Sequence, residues 1–258
     1  MIPLLSIQGV SVGYGSKTIV FDVSFDISAG EFCALLGLNA SGKTTLLKGI
    51  CGLLALTGGC CIVNSLDCGG LNEKERARYI SYMPQRHSKL IGVTVLDAVM
   101  MGLNARLGAL ESPSAQDKAR ASEALEKMDI PHLAGEDFSR LSEGQKQLVI
   151  LARTLVQDAP VMLMDEPDSS LDFPNKQRIL SGIRQLIRSQ HKAGLITLHD
   201  PNLALAHCDR LILLREGRVV SEIKLTGAGL EEVQSCLSLV YNDITLLEHD
   251  GKYIALHR

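Results

Sequence analysis

The 258-residue chain lacks several things, and each absence removes a class of protein. No uninterrupted apolar run approaches the ~20 residues that a membrane-spanning helix requires, although the mean hydropathy of +0.14 is slightly high for a soluble chain. There is no basic excess: 26 Lys plus Arg stand against 29 Asp plus Glu, a net charge of -3. A surface built to grip nucleic-acid phosphates is therefore not expected, although a single nucleotide could still bind. The start, Met1-Ile2-Pro3-Leu4-Leu5, carries no basic segment, long apolar stretch or small-residue cleavage site, so no secretory signal is expected and the chain reads as cytosolic. The seven cysteines follow no regular spacing, and the group Cys51, Cys60, Cys61 and Cys68 lacks a C-x2-C pair and a nearby histidine. Reduced, mostly buried thiols are expected, not a disulfide framework or a zinc site.

What is present points to a folded α/β chain. With 46% hydrophobic and 21% charged residues the composition is that of a globular protein. At one domain per roughly 150 residues, the length suggests one large domain with a sizeable insertion. Residues 18–27 alternate, placing Ile19, Phe21, Val23, Phe25 and Ile27 on one expected face of a half-buried antiparallel strand. The runs 32–36, 161–164, 195–198 and 211–214 are instead continuously apolar, as in strands buried on both faces of a parallel sheet. Asp172 with Pro174, and Asp200 with Pro201, read as helix starts, the first followed by an apolar stripe of Ile179, Ile183, Leu186 and Ile187. Strand signals vanish between about 87 and 157, where 94–106, 114–129 and 142–157 read as helices.

The chemistry begins at Gly37-Leu38-Asn39-Ala40-Ser41-Gly42-Lys43-Thr44, which fits G-x4-G-K-[ST] between an apolar strand and a helical run over 45–54. In that context glycine-rich backbone converges N–H groups on phosphate oxygens, the helix N-terminus adds about half a positive charge, and Lys43 reaches the β and γ phosphates. Thr44 would ligate Mg2+. The run 161–164 ends in Asp165-Glu166, where Asp165 would hold Mg2+ through water and Glu166 would deprotonate the attacking water. The reaction class is then phosphoryl transfer to water.

The segment Leu141-Ser142-Glu143-Gly144-Gln145 ends 20 residues before Asp165, and here the sequence resembles the ATP-binding cassette (ABC) ATPases, whose signature is usually written LSGGQ. Ser142 and Gln145 also form a capping box, so a capped helix is the local alternative. Further matches follow in family order. Tyr14 lies 23 residues before Gly37, where an adenine-stacking aromatic is usual; only 5 Tyr and 5 Phe occur in the chain. Gln85 matches the glutamine that approaches Mg2+ and water, with a surface glutamine as the plain alternative. Asp172, in Ser169-Ser170-Leu171-Asp172, matches the loop that crosses the dimer interface, or simply caps its helix. His199 matches the switch histidine, or is an ordinary strand-end residue. Thr45 closes the phosphate set of Gly37, Asn39, Ala40, Ser41, Gly42, Lys43 and Thr44. Two departures stand out: Ala40 and Glu143 occupy positions where glycine is common, and a positive φ at Ala40 would cost about 1 kcal/mol. Asp168 stands where threonine is usual, and its role is open.

The resemblance implies one ABC ATPase domain over 1–258: a P-loop NTPase core with an antiparallel β subdomain at 1–86 and 158–225, a helical signature subdomain at 87–157, and a C-terminal extension at 226–258. It implies ATP and Mg2+, and a nucleotide-sandwiched head-to-tail dimer, most simply a homodimer, because each site takes its loop from one subunit and Ser142, Gly144 and Gln145 from the other. Without a membrane span, it implies separate transmembrane permease subunits received near 87–101, a solute-binding protein acting indirectly, and a peripheral place on the cytoplasmic face of the membrane. Residues 73–85, the signature form and a hairpin at Glu248-His249-Asp250-Gly251-Lys252 look like the importers of iron-siderophores, haem and cobalamin. The competing readings are a soluble ABC ATPase, such as those of iron-sulfur assembly, and a nucleotide kinase. The kinase leaves Ser142–Gln145 and His199 unexplained.

Overall fold

A computed structural model describes residues 2–85, 90–108 and 111–257. The chain begins with β1 (Leu5–Tyr14) and β2 (Lys17–Ile27), then β3 (Phe32–Leu36), α1 (Lys43–Ile50), the hairpin β4 (Leu56–Val63) and β5 (Leu66–Asp67), α2 (Glu73–Arg76) and β6 (Ile80–Met83). Helices α3 (Val95–Met100), α4 (Ala115–Lys127) and α5 (Glu143–Gln157) follow without an intervening strand. The chain then alternates through β7 (Val161–Asp165), α6 (Phe173–Ser189), β8 (Ala193–Thr197), α7 (Pro201–His207), β9 (Arg210–Arg215) and β10 (Arg218–Lys224). It ends with α8 (Leu230–Ser238), β11 (Ile244–His249) and β12 (Lys252–His257).

Among the described residues the strands form an antiparallel sheet β2-β1-β4-β5, a larger sheet β10-β9-β3-β8-β7-β6, and the β11-β12 hairpin. In the larger sheet β9, β3, β8, β7 and β6 run parallel, and β10 pairs antiparallel with β9. Its central strands are continuously apolar because both faces are covered. Phe32, Ala34, Leu36, Met162, Met164, Ile196, Leu211 and Leu213 face a core shared with α3 to α8. Cys33, Leu35, Val161, Leu163, Leu195, Ile212 and Leu214 face a second core with α1 and the antiparallel sheet. Gly194 permits the tightest contact on the first face: a Cβ there would lie 2.2 Å from Ile187 Cδ1 of α6.

The expected helices are present with their caps. Thr94, Ser114, Ser142, Asp172 and Asp200 each accept a backbone N–H at a helix start. The run 94–106 divides into α3 and a 3-10 segment, Met101–Ala105. The helix expected over 45–54 begins at Lys43 and ends at Ile50, with Gly52 at φ +76 turning the chain away. Leu186 is only partly buried, while Leu180 takes a place in the α6 stripe.

The alternation expected of residues 18–27 is corrected at Asp22. That residue has φ +50 and sits where the β1–β2 register shifts, so Val20, not Ile19 or Phe21, shares the buried face with Val23, Phe25 and Ile27. An extra residue in one strand reverses the sidedness of everything before it. Phe21 instead lies under the Arg218 guanidinium, 5.2 Å from its ring centre. The hairpin expected near 248–252 is present, turning through Asp250 at φ +50 and Gly251 at φ +69. It is fastened to α7 by Asn202, which donates to Ala255 O at 3.0 Å and accepts from Ala255 N at 2.7 Å. No helix among the described residues is long and apolar enough to cross a membrane.

Candidate active site

The loop 37–42 leaves the buried end of β3 and feeds α1, so backbone N–H groups and the positive helix end converge on one cavity. Gly42 is the N-cap at φ +106, and Ala40 has φ +63. The left-handed conformation at Ala40 carries a Cβ at a cost of about 1 kcal/mol. Lys43 is buried and its ammonium donates to the carbonyls of Gly37 at 2.7 Å and Leu38 at 3.2 Å. Burial lowers its pKa, against the opposing pull of the Glu166 and Asp165 charges. Ser41 Oγ is buried with no hydrogen-bond partner among the described residues. An unpaired hydroxyl inside a donor-rich loop fits an arriving phosphate oxygen.

A cavity of about 500 Å³ is lined by Tyr14, Ile19, the loop and helix residues 39–45, Gln85, Glu166 and His199. Tyr14 is 49% exposed. Five segments distant in sequence thus meet at one place. Glu166 has φ +49, and its carboxylate is bracketed: Gln85 Nε2 donates to Oε2, and His199 Nε2 lies 2.7 Å from Oε1. Asp165 is fully buried at the end of β7. It lines an adjoining cavity of about 550 Å³ with Thr44 and Gln85. Their hydroxyl, carboxylate and amide oxygens are hard donors that suit Mg2+. No group of three His, Cys, Asp or Glu among the described residues could hold a metal alone.

Thr197 is a site residue that motif spacing does not reveal. Its hydroxyl donates to Asp165 Oδ1 at 2.8 Å and accepts the Glu166 N–H at 2.9 Å. The parallel pairing of Asp165 with Thr197 between β7 and β8 makes this possible, and strand register between distant segments is not written in either segment. Tyr82 adds a longer contact from its hydroxyl to Asp165 Oδ2, 3.4 Å; burial raises its pKa, keeping it a neutral donor. Gln147 of α5 reaches the Glu166 carbonyl at 3.5 Å. Asp168 is buried and pairs with Lys176 of α6 at 3.2 Å, which gives the open residue a structural place.

Ser142, Gly144, Gln145 and Asp172 do not line the cavity of their own chain. Ser142 and Gln145 complete their capping box at 3.2 and 2.9 Å, and Asp172 caps α6 by accepting from Asn175 at 3.1 Å. Gly144 leans on the loop after Glu166: a Cβ would stand 3.1 Å from Ser170 O. The start of α5 therefore lies outside that cavity, with the Ser142 and Gln145 N–H groups held by its own capping box. Of the expected permease-receiving segment, residues 87–89 lie outside the described residues.

The ABC transporter family matches residues 20–169. An uncharacterized ABC transporter ATP-binding protein of Haemophilus influenzae is 40% identical over 213 residues, 83% of this chain and 81% of that protein. A hemin import ATP-binding protein of Shewanella denitrificans is 34% identical over 85% of this chain and 87% of its own length. Among solved structures, a metal-chelate type ABC transporter in an inward-facing conformation superposes with a TM-score of 0.80 at 26% identity, covering 98% of this chain and 96% of that one. A dimeric ATP-binding cassette in a post-hydrolysis state with ADP and phosphate gives a TM-score of 0.77 at 27% identity, covering 87% and 100%. The chain belongs to the ABC transporter family, as an ATP-binding, ATP-hydrolysing subunit.

Proposed function

We propose that this chain energises an importer, carrying a metal chelate such as an iron complex through separate permease subunits that receive solute from a binding protein. It works at the cytoplasmic face of the membrane as a homodimer. The observation that carries the catalytic part is the Glu166 carboxylate, held beside the phosphate loop by Gln85 and His199. Similarity to a hemin import ATP-binding protein and to a metal-chelate type transporter supports the direction and the cargo class.

ATP enters the cavity with adenine against Tyr14 and its phosphates on the N–H groups of residues 37–45. Lys43 exchanges its two carbonyl partners for the β and γ phosphate oxygens, and Ser41 Oγ gains the partner it lacks. Mg2+, held by Thr44, Asp165 and Gln85, would neutralise charge on the β and γ oxygens. Glu166 accepts the proton of the attacking water as its oxygen bonds to the γ phosphorus and the bond to the β-phosphate oxygen breaks. Gln85 and His199 leave the carboxylate to orient that water and the γ phosphate.

In the dimer, Ser142, Gly144 and Gln145 of a second copy close over the γ phosphate with the positive end of α5, and Asp172 crosses the interface. Residues 87–157 carry that helix as a unit, and the permease docks beside its 90–101 segment. Binding closes the pair and loss of the γ phosphate opens it. Replacing Glu166 with Gln is expected to preserve ATP binding while slowing steady-state phosphate release by about 10² to 10⁴, the range of a lost general base. Near-normal turnover would remove Glu166 from this role.

A further inference from the structure

At the C-terminal end of α1 lies a third cavity, of about 440 Å³, lined among others by Gly52, Cys61, Asp67, Cys68 and Arg76. Nothing in the ATPase mechanism uses these thiols. The β4–β5 hairpin pairs Val63 with Leu66 and Ile62 with Asp67. The ladder continues one step further, where Cys68 N donates to Cys61 O at 2.8 Å. Two residues directly opposite in an antiparallel pair share a face, with Cα atoms about 5.5 Å apart at a hydrogen-bonded position. That spacing falls within the range a disulfide spans. The two thiols influence each other directly, and Cys68 Sγ also donates to Leu66 O at 3.8 Å.

The pair is chemically unequal. The interaction with Cys61 holds the Cys68 thiol below its ordinary range; burial opposes this and the Arg76 charge assists. The same interaction, with burial, pushes Cys61 up. Arg76 is fixed in place: Nε and Nη2 donate to Cys68 O at 3.1 and 2.9 Å, and Nη2 donates to Leu71 O at 3.0 Å. Its guanidinium fills the space beside Gly52, where a Cβ would lie 1.4 Å from Nη1. The Arg76 guanidinium and the two thiols, both buried, therefore line one cavity.

We propose that Cys61 and Cys68 are a site of reversible oxidative modification, a dithiol that small hydroperoxides convert to an intramolecular disulfide. The Cys68 thiolate attacks the terminal peroxide oxygen; the S–O bond forms, the O–O bond breaks, and the departing alkoxide or hydroxide takes a proton. Cys61 then attacks the sulfur of the Cys68 sulfenic acid, forming the S–S bond and releasing hydroxide, which leaves as water with the Cys61 proton. Two thiols lose two electrons and the peroxide gains them. A dithiol reductant reverses the step. This site is independent of the ATPase reading.

The test treats the full chain with a small excess of hydrogen peroxide, blocks remaining thiols under denaturing conditions, and maps the products by mass spectrometry. Residues 49–74, free of internal Lys and Arg, contain Cys51, Cys60, Cys61 and Cys68, so cleavage before Asp67 is needed to separate Cys61 from Cys68. Cys60, half-buried and bonded to Gln8 Oε1 at 3.7 Å, serves as the neighbouring reference thiol. The expected product is a fragment 49–66 joined through Cys61 to 67–74, two hydrogens lighter and separated by dithiothreitol. Cys61→Ser is expected to leave a Cys68 sulfenic acid that dimedone traps, and Cys68→Ser to leave Cys61 unreacted. Circular dichroism confirms that both variants fold. Blocked free thiols at both positions under peroxide that oxidises Cys60, or a disulfide to Cys60 or Cys51, would overturn the proposal.

Discussion

Glu166 is held at every polar group it has. Its N–H goes to Thr197, its carbonyl accepts from Ser169 at 3.2 Å and from Gln147, and its carboxylate meets Gln85 and His199. Such restraint is what keeps a non-glycine residue at positive φ, a conformation that costs on the order of 1–3 kcal/mol. Thr197→Val, nearly the same shape, strips the hydroxyl and leaves a buried N–H and a carboxylate oxygen unpaired, each costing about 1–3 kcal/mol. Its kcat for ATP is expected to fall by about tenfold or more with KM little changed, and Thr197→Ser is expected to recover most of it. A kcat equally low in both variants, or unchanged in Val, would limit Thr197 to packing. The residues whose chemistry demands a fixed local spacing, Gly37 to Thr44 and Asp165-Glu166, are legible in the sequence for that reason. Thr197 is not, because its role exists only once β7 and β8 are paired. The bonds of Lys43 to the Gly37 and Leu38 carbonyls are not legible either, because the loop closes on them only when folded.

Helix α5 joins the two ends of the account. Its first turn carries Ser142 and Gln145, and its last residue runs into Asp158, a left-handed C-cap at φ +53. Asp158 accepts from Lys192 at 2.7 Å and from Arg106 at 3.0 Å. Burial raises its pKa, but the Lys192 hydrogen bond and charge, with Arg106, outweigh burial and hold it below the ordinary carboxylate range. A lowered folded pKa means that stability is present above the unfolded value, about 3.9, and is lost as pH falls through the folded value. Asp158→Asn, which tolerates the same backbone, is therefore expected to lose up to about 1 kcal/mol at pH 7 after allowance for solvent screening, and nothing near pH 2. Urea titrations at both pH values read this directly, and an equal loss at both would contradict it. Caps and helical stripes are local, so these elements were visible in the sequence. The reversal of sidedness at Asp22 was not, since a bulge changes the phase of an alternating strand without changing its composition.

At the scale of the molecule, one chain contains two halves that do not meet. The cavity holds the loop, Tyr14, Gln85, Glu166 and His199, while Ser142, Gly144, Gln145 and Asp172 point elsewhere. A two-fold dimer is the arrangement that gives both halves a partner from the same surface. The sequence carried both halves in family order, but only the folded chain separates them in space. The most direct measurement is the mass in solution of Glu166→Gln by light scattering, with and without ATP. One chain is expected without ATP, two chains with it, and one chain again when Ser142→Arg is added to the same variant. A mass that ATP leaves at one chain, or a dimer indifferent to Ser142→Arg, would contradict the shared site.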